Sequence, residues 1–87
     1  MFTIGFKPKA LKEIEKLPQK DKERVWEAIQ GLATDPYAGK KMDGKFSSQH
    51  CIRVWPYRVI YTIEKNILLV TVIMVGHRQG VYKRLSR

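Results

Sequence analysis

An α+β fold, with an N-terminal strand and an α-helical hairpin packed on an antiparallel β-sheet, is what three features of this 87-residue chain predict. Apolar residues recur at helical spacing up to residue 35, they alternate or run together as strands from residue 49, and Pro or Gly punctuates the segments. Helices gathered in one half and strands in the other favour segregated layers over the strict alternation of a parallel-sheet fold. The length suits one small domain over residues 1–87 and leaves no room for a second, cofactor-binding one.

Phe2-Thr3-Ile4-Gly5-Phe6 alternates apolar with small or polar residues, which predicts a half-buried strand. Pro8 fits the first turn of a helix, where its missing N–H costs nothing. Ala10, Leu11, Ile14 and Leu17 then form an apolar stripe, with Lys9, Lys12, Glu13, Glu15 and Lys16 on the other side. Pro18 breaks that helix. A second runs from about Gln19 to Ala33, with Val25, Trp26, Ile29 and Leu32 as its stripe, and Asp35-Pro36 ends it. The short joint predicts an antiparallel helical hairpin. Pro36 to Gly44 reads as a basic, turn-rich loop. Three strands follow, Gln49–Trp55, Tyr57–Glu64 and Ile67–Val75, with Pro56 in the first turn and Lys65-Asn66 as a two-residue second turn. The third is the most apolar and is expected in the middle of the sheet, ended by Gly76.

One cysteine, Cys51, excludes an internal disulfide framework, and two histidines provide too few ligands for a structural zinc, so no metal or cofactor is expected. The longest apolar run, Ile67 to Val75, is nine residues and contains Thr71, far short of a membrane span of about 20 residues. With no secretory leader in view, a cytoplasmic protein without membrane contacts is expected. The net charge is +9, and it is uneven. Residues 1–35 hold seven Lys and Arg against six Asp and Glu, whereas residues 36–87 hold ten against two. An excess of +8 in one half is the footprint of a polyanion partner.

Phosphate-binding glycine loops, Ser-His-Asp patterns and metal-ligand clusters are all missing from the sequence. What stands out is a set of cations and aromatics after residue 50: Arg53, Tyr57, Arg58, Tyr61, His77, Arg78, Tyr82, Lys83 and Arg84. Guanidinium groups grip phosphate through a planar fork, and aromatic faces stack on unpaired bases. Alternation along Tyr57–Glu64 places Arg58, Ile60 and Thr62 on one face and Tyr57, Val59, Tyr61 and Ile63 on the other, beneath the helices.

Taken together, Phe2-x-Ile4-x-Phe6, Ala10-Leu11-Lys12-x-x-x-Lys16-Leu17, Ile52-Arg53-Val54-Trp55-Pro56-Tyr57-Arg58-Val59-Ile60-Tyr61, and Val75-Gly76-His77-Arg78 with Val81-Tyr82 resemble the RelE/ParE toxins of type II toxin–antitoxin pairs. The resemblance covers essentially the whole chain and implies a RelE-like, microbial RNase-type fold. It also implies a ribosome-dependent endoribonuclease that cuts mRNA without a metal and inhibits translation. The RNA 2′-OH would attack, leaving a cyclic phosphate and a 5′-OH end. By the same resemblance Arg58 and Arg78 stabilise the phosphate, Tyr82 orients the substrate, and Arg53 adds a basic contact. Two lysines usual in such nucleases are replaced by Gln49 and Cys51, which leaves His77 as candidate acid or base. Lys40, Lys41 and Lys45 in the loop, with Lys83 and Arg84 in the tail, are expected to bind RNA. The implied partners are the ribosome, mRNA and an acidic, partly disordered antitoxin. Two other readings stay open: a ParE-like poison of DNA gyrase without RNase activity, and a non-catalytic relic that only binds its antitoxin.

Overall fold

The N-terminal strand lies parallel to the C-terminal one, and that pairing makes the sheet mixed where an antiparallel one was expected. The computed structural model describes residues 1–46, 48–77 and 79–80. Strand β1 (Thr3–Phe6) leads into helices α1 (Pro8–Glu15) and α2 (Gln19–Gly31), followed by strands β2 (Lys40–Lys41), β3 (Gln49–Val54), β4 (Tyr57–Glu64) and β5 (Leu69–His77). Their order across the sheet is β1-β5-β4-β3-β2. β1 pairs with β5 in parallel, from Thr3 opposite Leu69 to Phe6 opposite Val72, and the other neighbours are antiparallel. The physical reason is the apolar character of β5, which is best satisfied with a strand on each side of it. Periodicity within β1 carries no information about which distant strand it will join.

Pro8 occupies the start of α1 as anticipated. Ala10 and Ile14, one turn apart, are the helix's fully buried residues, whereas Leu11 is 37% exposed and falls outside the expected stripe. On α2 the buried residues are Val25 and Ile29, with Leu32 just past its end. Trp26 is half-buried and meets Phe6 edge-on at 5.2 Å between ring centroids. α2 ends at Gly31, two residues earlier than its periodicity implied. α1 packs mainly on β5 and α2 on β3, so the helices share one face of the sheet and touch each other less than they touch the strands. Between them and the sheet lies the main core, which includes Val59, Tyr61, Val70, Val72 and Val75.

The connections differ from expectation in two places. Lys65–Ile67 forms a 3₁₀ turn and Leu68, at φ 52°, takes the left-handed conformation expected of Asn66. The loop is therefore longer than a two-residue turn, and β5 starts at Leu69 and runs through Gly76 to His77. Within the basic loop, β2 is a short edge strand between the 3₁₀ turns Pro36–Ala38 and Gly44–Phe46. β3 stops at Val54, and Trp55-Pro56, joined by a cis peptide bond, makes the tight turn into β4.

β5 also carries a bulge. Ile60 lies opposite Met74 but Tyr61 lies opposite Val72, so Ile73 is the extra residue. Alternation is interrupted there, and both Ile73 and Met74 join a small apolar cluster with Cys51, Ile60 and Met42 on the face away from the main core. Beyond Val72, β1 has ended, and the Val75 N–H instead donates to the Glu13 carboxylate on α1, at 3.2 Å.

Candidate nucleic-acid interface

The β3–β4 hairpin sets the site through strand alternation alone. Ile52 and Val54 pack toward the helices, so Cys51 and Arg53 project from the opposite face. By the same rule Val59 and Tyr61 are core residues and Arg58 and Ile60 face outward, as their spacing predicted. Arg53 and Arg58 are direct cross-strand partners. Two like charges placed opposite each other weaken a hairpin unless an anion comes between them.

Two more cations come from β2, which lies against β3 with Lys40 opposite Cys51 and Lys41 opposite His50. Its position depends on the loop before it. The fully buried Tyr61 reaches out of the core, and its hydroxyl donates to the Pro36 carbonyl at 2.7 Å and accepts from the Gly39 N–H at 3.1 Å. Gly39 is packed so closely that a Cβ there would lie 2.8 Å from the Cys51 carbonyl oxygen. Burial raises the Tyr61 phenol above its usual pKa, and the Gly39 N–H offsets part of that rise, so the hydroxyl stays protonated at neutral pH.

The result is a pocket of about 320 Å³ on the open face of the sheet. Lys40, Lys41, Arg53 and Arg58 line it with positive charge, and Asp43 is the acidic residue at its wall. Cys51 and Met42 contribute apolar surface. The arrangement offers two guanidinium forks and the Lys40 ammonium on one concave surface, a donor set that holds phosphate oxygens, with Lys41 at its wall opposite His50. Beside it a groove of about 420 Å³ runs along Gly39, Lys40, Ile52 and Arg53. The free Cys51 thiol is buried at the pocket floor.

Sequence reasoning named Arg53, Arg58, Lys40 and Lys41, and the fold brings these four together. Lys45 lies exposed in the adjacent 3₁₀ turn and does not line the pocket. His77 is set apart: it closes β5 opposite Tyr57 and meets that ring edge-on at 6.4 Å, away from the cation cluster. Tyr57 in turn donates to Asp21 on α2 at 2.8 Å. Arg78, Tyr82, Lys83 and Arg84 lie outside the described residues. His50 faces away from the pocket, stacked on Tyr61 at 5.6 Å and edge-on to Tyr37 at 6.0 Å. Burial, and secondarily Lys41, lowers its pKa below the usual 6.5. Asp43, Met42 and the Tyr61 tie were not anticipated. Asp43 sits in a segment with no periodicity, and a buried tyrosine hydroxyl leaves no trace in an alternation pattern.

Among the described residues no helix is long and apolar enough to cross a membrane. Comparison with known proteins gives concordant results. Toxin RelG of Mycobacterium tuberculosis is 28% identical over 85 residues, covering 95% of this chain and 98% of that protein. The toxin–antitoxin complex RelBE2 of M. tuberculosis contains a chain that superposes with a TM-score of 0.82 at 26% identity, covering 88% of this chain and 98% of that one. The isolated Escherichia coli RelE toxin superposes with a TM-score of 0.76 at 25% identity, covering 99% and 96%. The family model for the ParE toxin of type II toxin–antitoxin systems matches residues 4–82. With the mixed sheet, the paired helices and the match all spanning nearly the full length, the chain belongs to the ParE toxin family of type II toxin–antitoxin systems, within the RelE/ParE superfamily.

Proposed function

We propose that this toxin is a metal-independent, ribosome-dependent mRNA endoribonuclease that arrests translation in the cytoplasm and is neutralised by a cognate antitoxin. The observation that carries this reading is one open pocket lined by Lys40, Lys41, Arg53 and Arg58. In-line attack by a 2′-OH builds negative charge on the phosphate, and fixed cations that strengthen as this charge grows lower the barrier. Arg58 and Arg53 are the proposed phosphate clamp, with Lys40 and Lys41 holding the flanking backbone. Arg78 and Tyr82 are proposed to complete the substrate contacts, and Lys45, Lys83 and Arg84 to dock RNA. His77 is proposed as an acid or base only for a substrate that reaches the Tyr57 side of the sheet. The RelBE2 toxin is found in a complex with its antitoxin, which supports the same kind of neutralising partner here. A chain of net charge +9 favours an acidic one.

Loss of one preorganised donor costs roughly 10²–10³ in rate, so Arg58→Ala expressed alone should no longer arrest growth. Primer extension on cellular mRNA after induction of the wild-type chain should show codon-phased cuts with 5′-OH ends. The matched family is described by its ParE members, which favours a second reading, poisoning of DNA gyrase. Intact mRNA with double-strand DNA breaks would establish that reading instead. Full growth without any antitoxin would leave only the antitoxin-binding relic.

A further inference from the structure

Trp55 is 61% exposed, an unusual placement for the largest apolar side chain. It occupies the turn that joins β3 to β4, directly beyond the pairs Arg53–Arg58 and Val54–Tyr57. Two residues of strand place it about 7 Å further along β3 than Arg53. Its backbone is held from the helix side, because the Arg24 guanidinium donates to the Trp55 carbonyl at 2.7 Å while also pairing with Asp21 at 3.3 Å. The same Asp21 accepts from Tyr57 on the other arm of the hairpin. Polar contacts thus fix this turn to α2 from both strands, and the ring is presented on a held backbone.

We propose that Trp55 is a base-stacking platform of the nucleic-acid interface, taking one unpaired base of a single-stranded RNA whose phosphates lie across Arg53, Arg58 and the β2 lysines. This rests on the ribonuclease reading above and adds a specificity contact to it. Charge complementarity selects the occupant: a ring just beyond the Arg53–Arg58 pair, at one end of a cation-lined pocket, suits a polyanion that carries flat apolar groups, which single-stranded RNA is and a lipid headgroup or free phosphate is not. Trp55 takes no part in the chemistry of cleavage; it positions the strand.

The test uses the full chain, anisotropy of a labelled, unstructured oligouridylate, and competition by inorganic polyphosphate, which has the charge of RNA but no bases. Trp55→Ala should weaken oligouridylate binding by roughly 5- to 150-fold, the range that stacking on one base supplies. Trp55→Phe should recover most of the loss. Polyphosphate affinity, and the slope of RNA affinity against salt, should stay at wild-type values in both variants, since no cation is removed. Equal RNA affinity for Trp55→Ala and wild type would overturn the platform while leaving the ribonuclease reading intact. A parallel loss of polyphosphate binding would overturn it too, by showing that the change disturbs the hairpin. Unchanged RNA affinity with loss of the antitoxin complex would reassign the ring to a protein contact. A wild-type chain that binds polyphosphate but not RNA would overturn the platform, whereas the ribonuclease reading falls only if mRNA stays intact in the primer-extension test.

Discussion

Replacing Tyr61 by Phe removes one oxygen atom and, on the geometry described, releases the loop that carries two of the four pocket cations. The aromatic ring keeps its place in the core, so the change isolates the hydroxyl. That hydroxyl makes two hydrogen bonds, to the buried Pro36 carbonyl and from the Gly39 N–H. Losing it strands both partners, at a cost of about 1–3 kcal/mol. In a domain of this length each kcal/mol moves the melting midpoint by roughly 4–8 °C, so a loss of about 2 kcal/mol corresponds to roughly 8–16 °C. Urea titration followed by circular dichroism measures the first quantity and a thermal melt the second. At a temperature where both proteins are fully folded, Tyr61→Phe should also bind oligouridylate more weakly, because Lys40 and Lys41 lose their anchor. A variant within about 0.5 kcal/mol of wild type, the range of an unremarkable surface change, would refute the idea that this tie positions β2.

Three further outcomes are expected. Gly39→Ala should destabilise the fold by about 1–3 kcal/mol in a urea titration, since its Cβ would press on the hydroxyl of the fully buried Tyr61 and on the backbone of Cys51, neither of which can swing away. His50 has a folded-state pKa below its unfolded value of 6.5, so the unfolded chain binds its proton first as pH falls. Stability is therefore fully present above about pH 6.5 and declines as the pH drops toward the lower folded value, and a His50→Phe variant followed by urea midpoints from pH 8 to pH 5 should lack that component. Finally, Arg53→Ala combined with Arg58→Ala should reduce the slope of log affinity against log salt for single-stranded RNA by about 1.4, or about 0.7 for each phosphate contact removed.

The faces of β3 and β4 were legible in the sequence because a half-buried strand writes its orientation in alternate residues. Arg58 could thus be assigned to the open face, and Tyr61 to the core, from the sequence alone, whereas Arg53 is named there only as a basic contact and its face comes from the fold. The helices were legible for the same reason, although Leu11 shows that an apolar residue at nearly the right angle can still point outward. What alternation does not encode is the choice of distant partner. The parallel docking of β1 on β5 and the attachment of β2 to β3 are long-range pairings, decided by what remains unpaired once the hairpins have formed. The bulge at Ile73 is a further case, since the run Ile67–Val75 is apolar at every residue but Thr71 and conceals which face each one takes. Leu68 adopted the left-handed turn conformation ahead of the better-suited Asn66, a case of strand register overriding local preference.

The two-residue strand β2 forms one outer margin of the sheet, and both its residues are exposed lysines. A sheet margin invites lateral addition by another chain, and lysine side chains are among the features that discourage it. Lys40 and Lys41 therefore serve colloidal behaviour, beside the RNA contact proposed for them. A detoxified variant made by neutralising them would expose an uncharged margin and become prone to self-association at the concentrations used for crystallisation or immunisation. A substitution at Arg58, the proposed phosphate clamp, lies on an interior strand and leaves that safeguard in place.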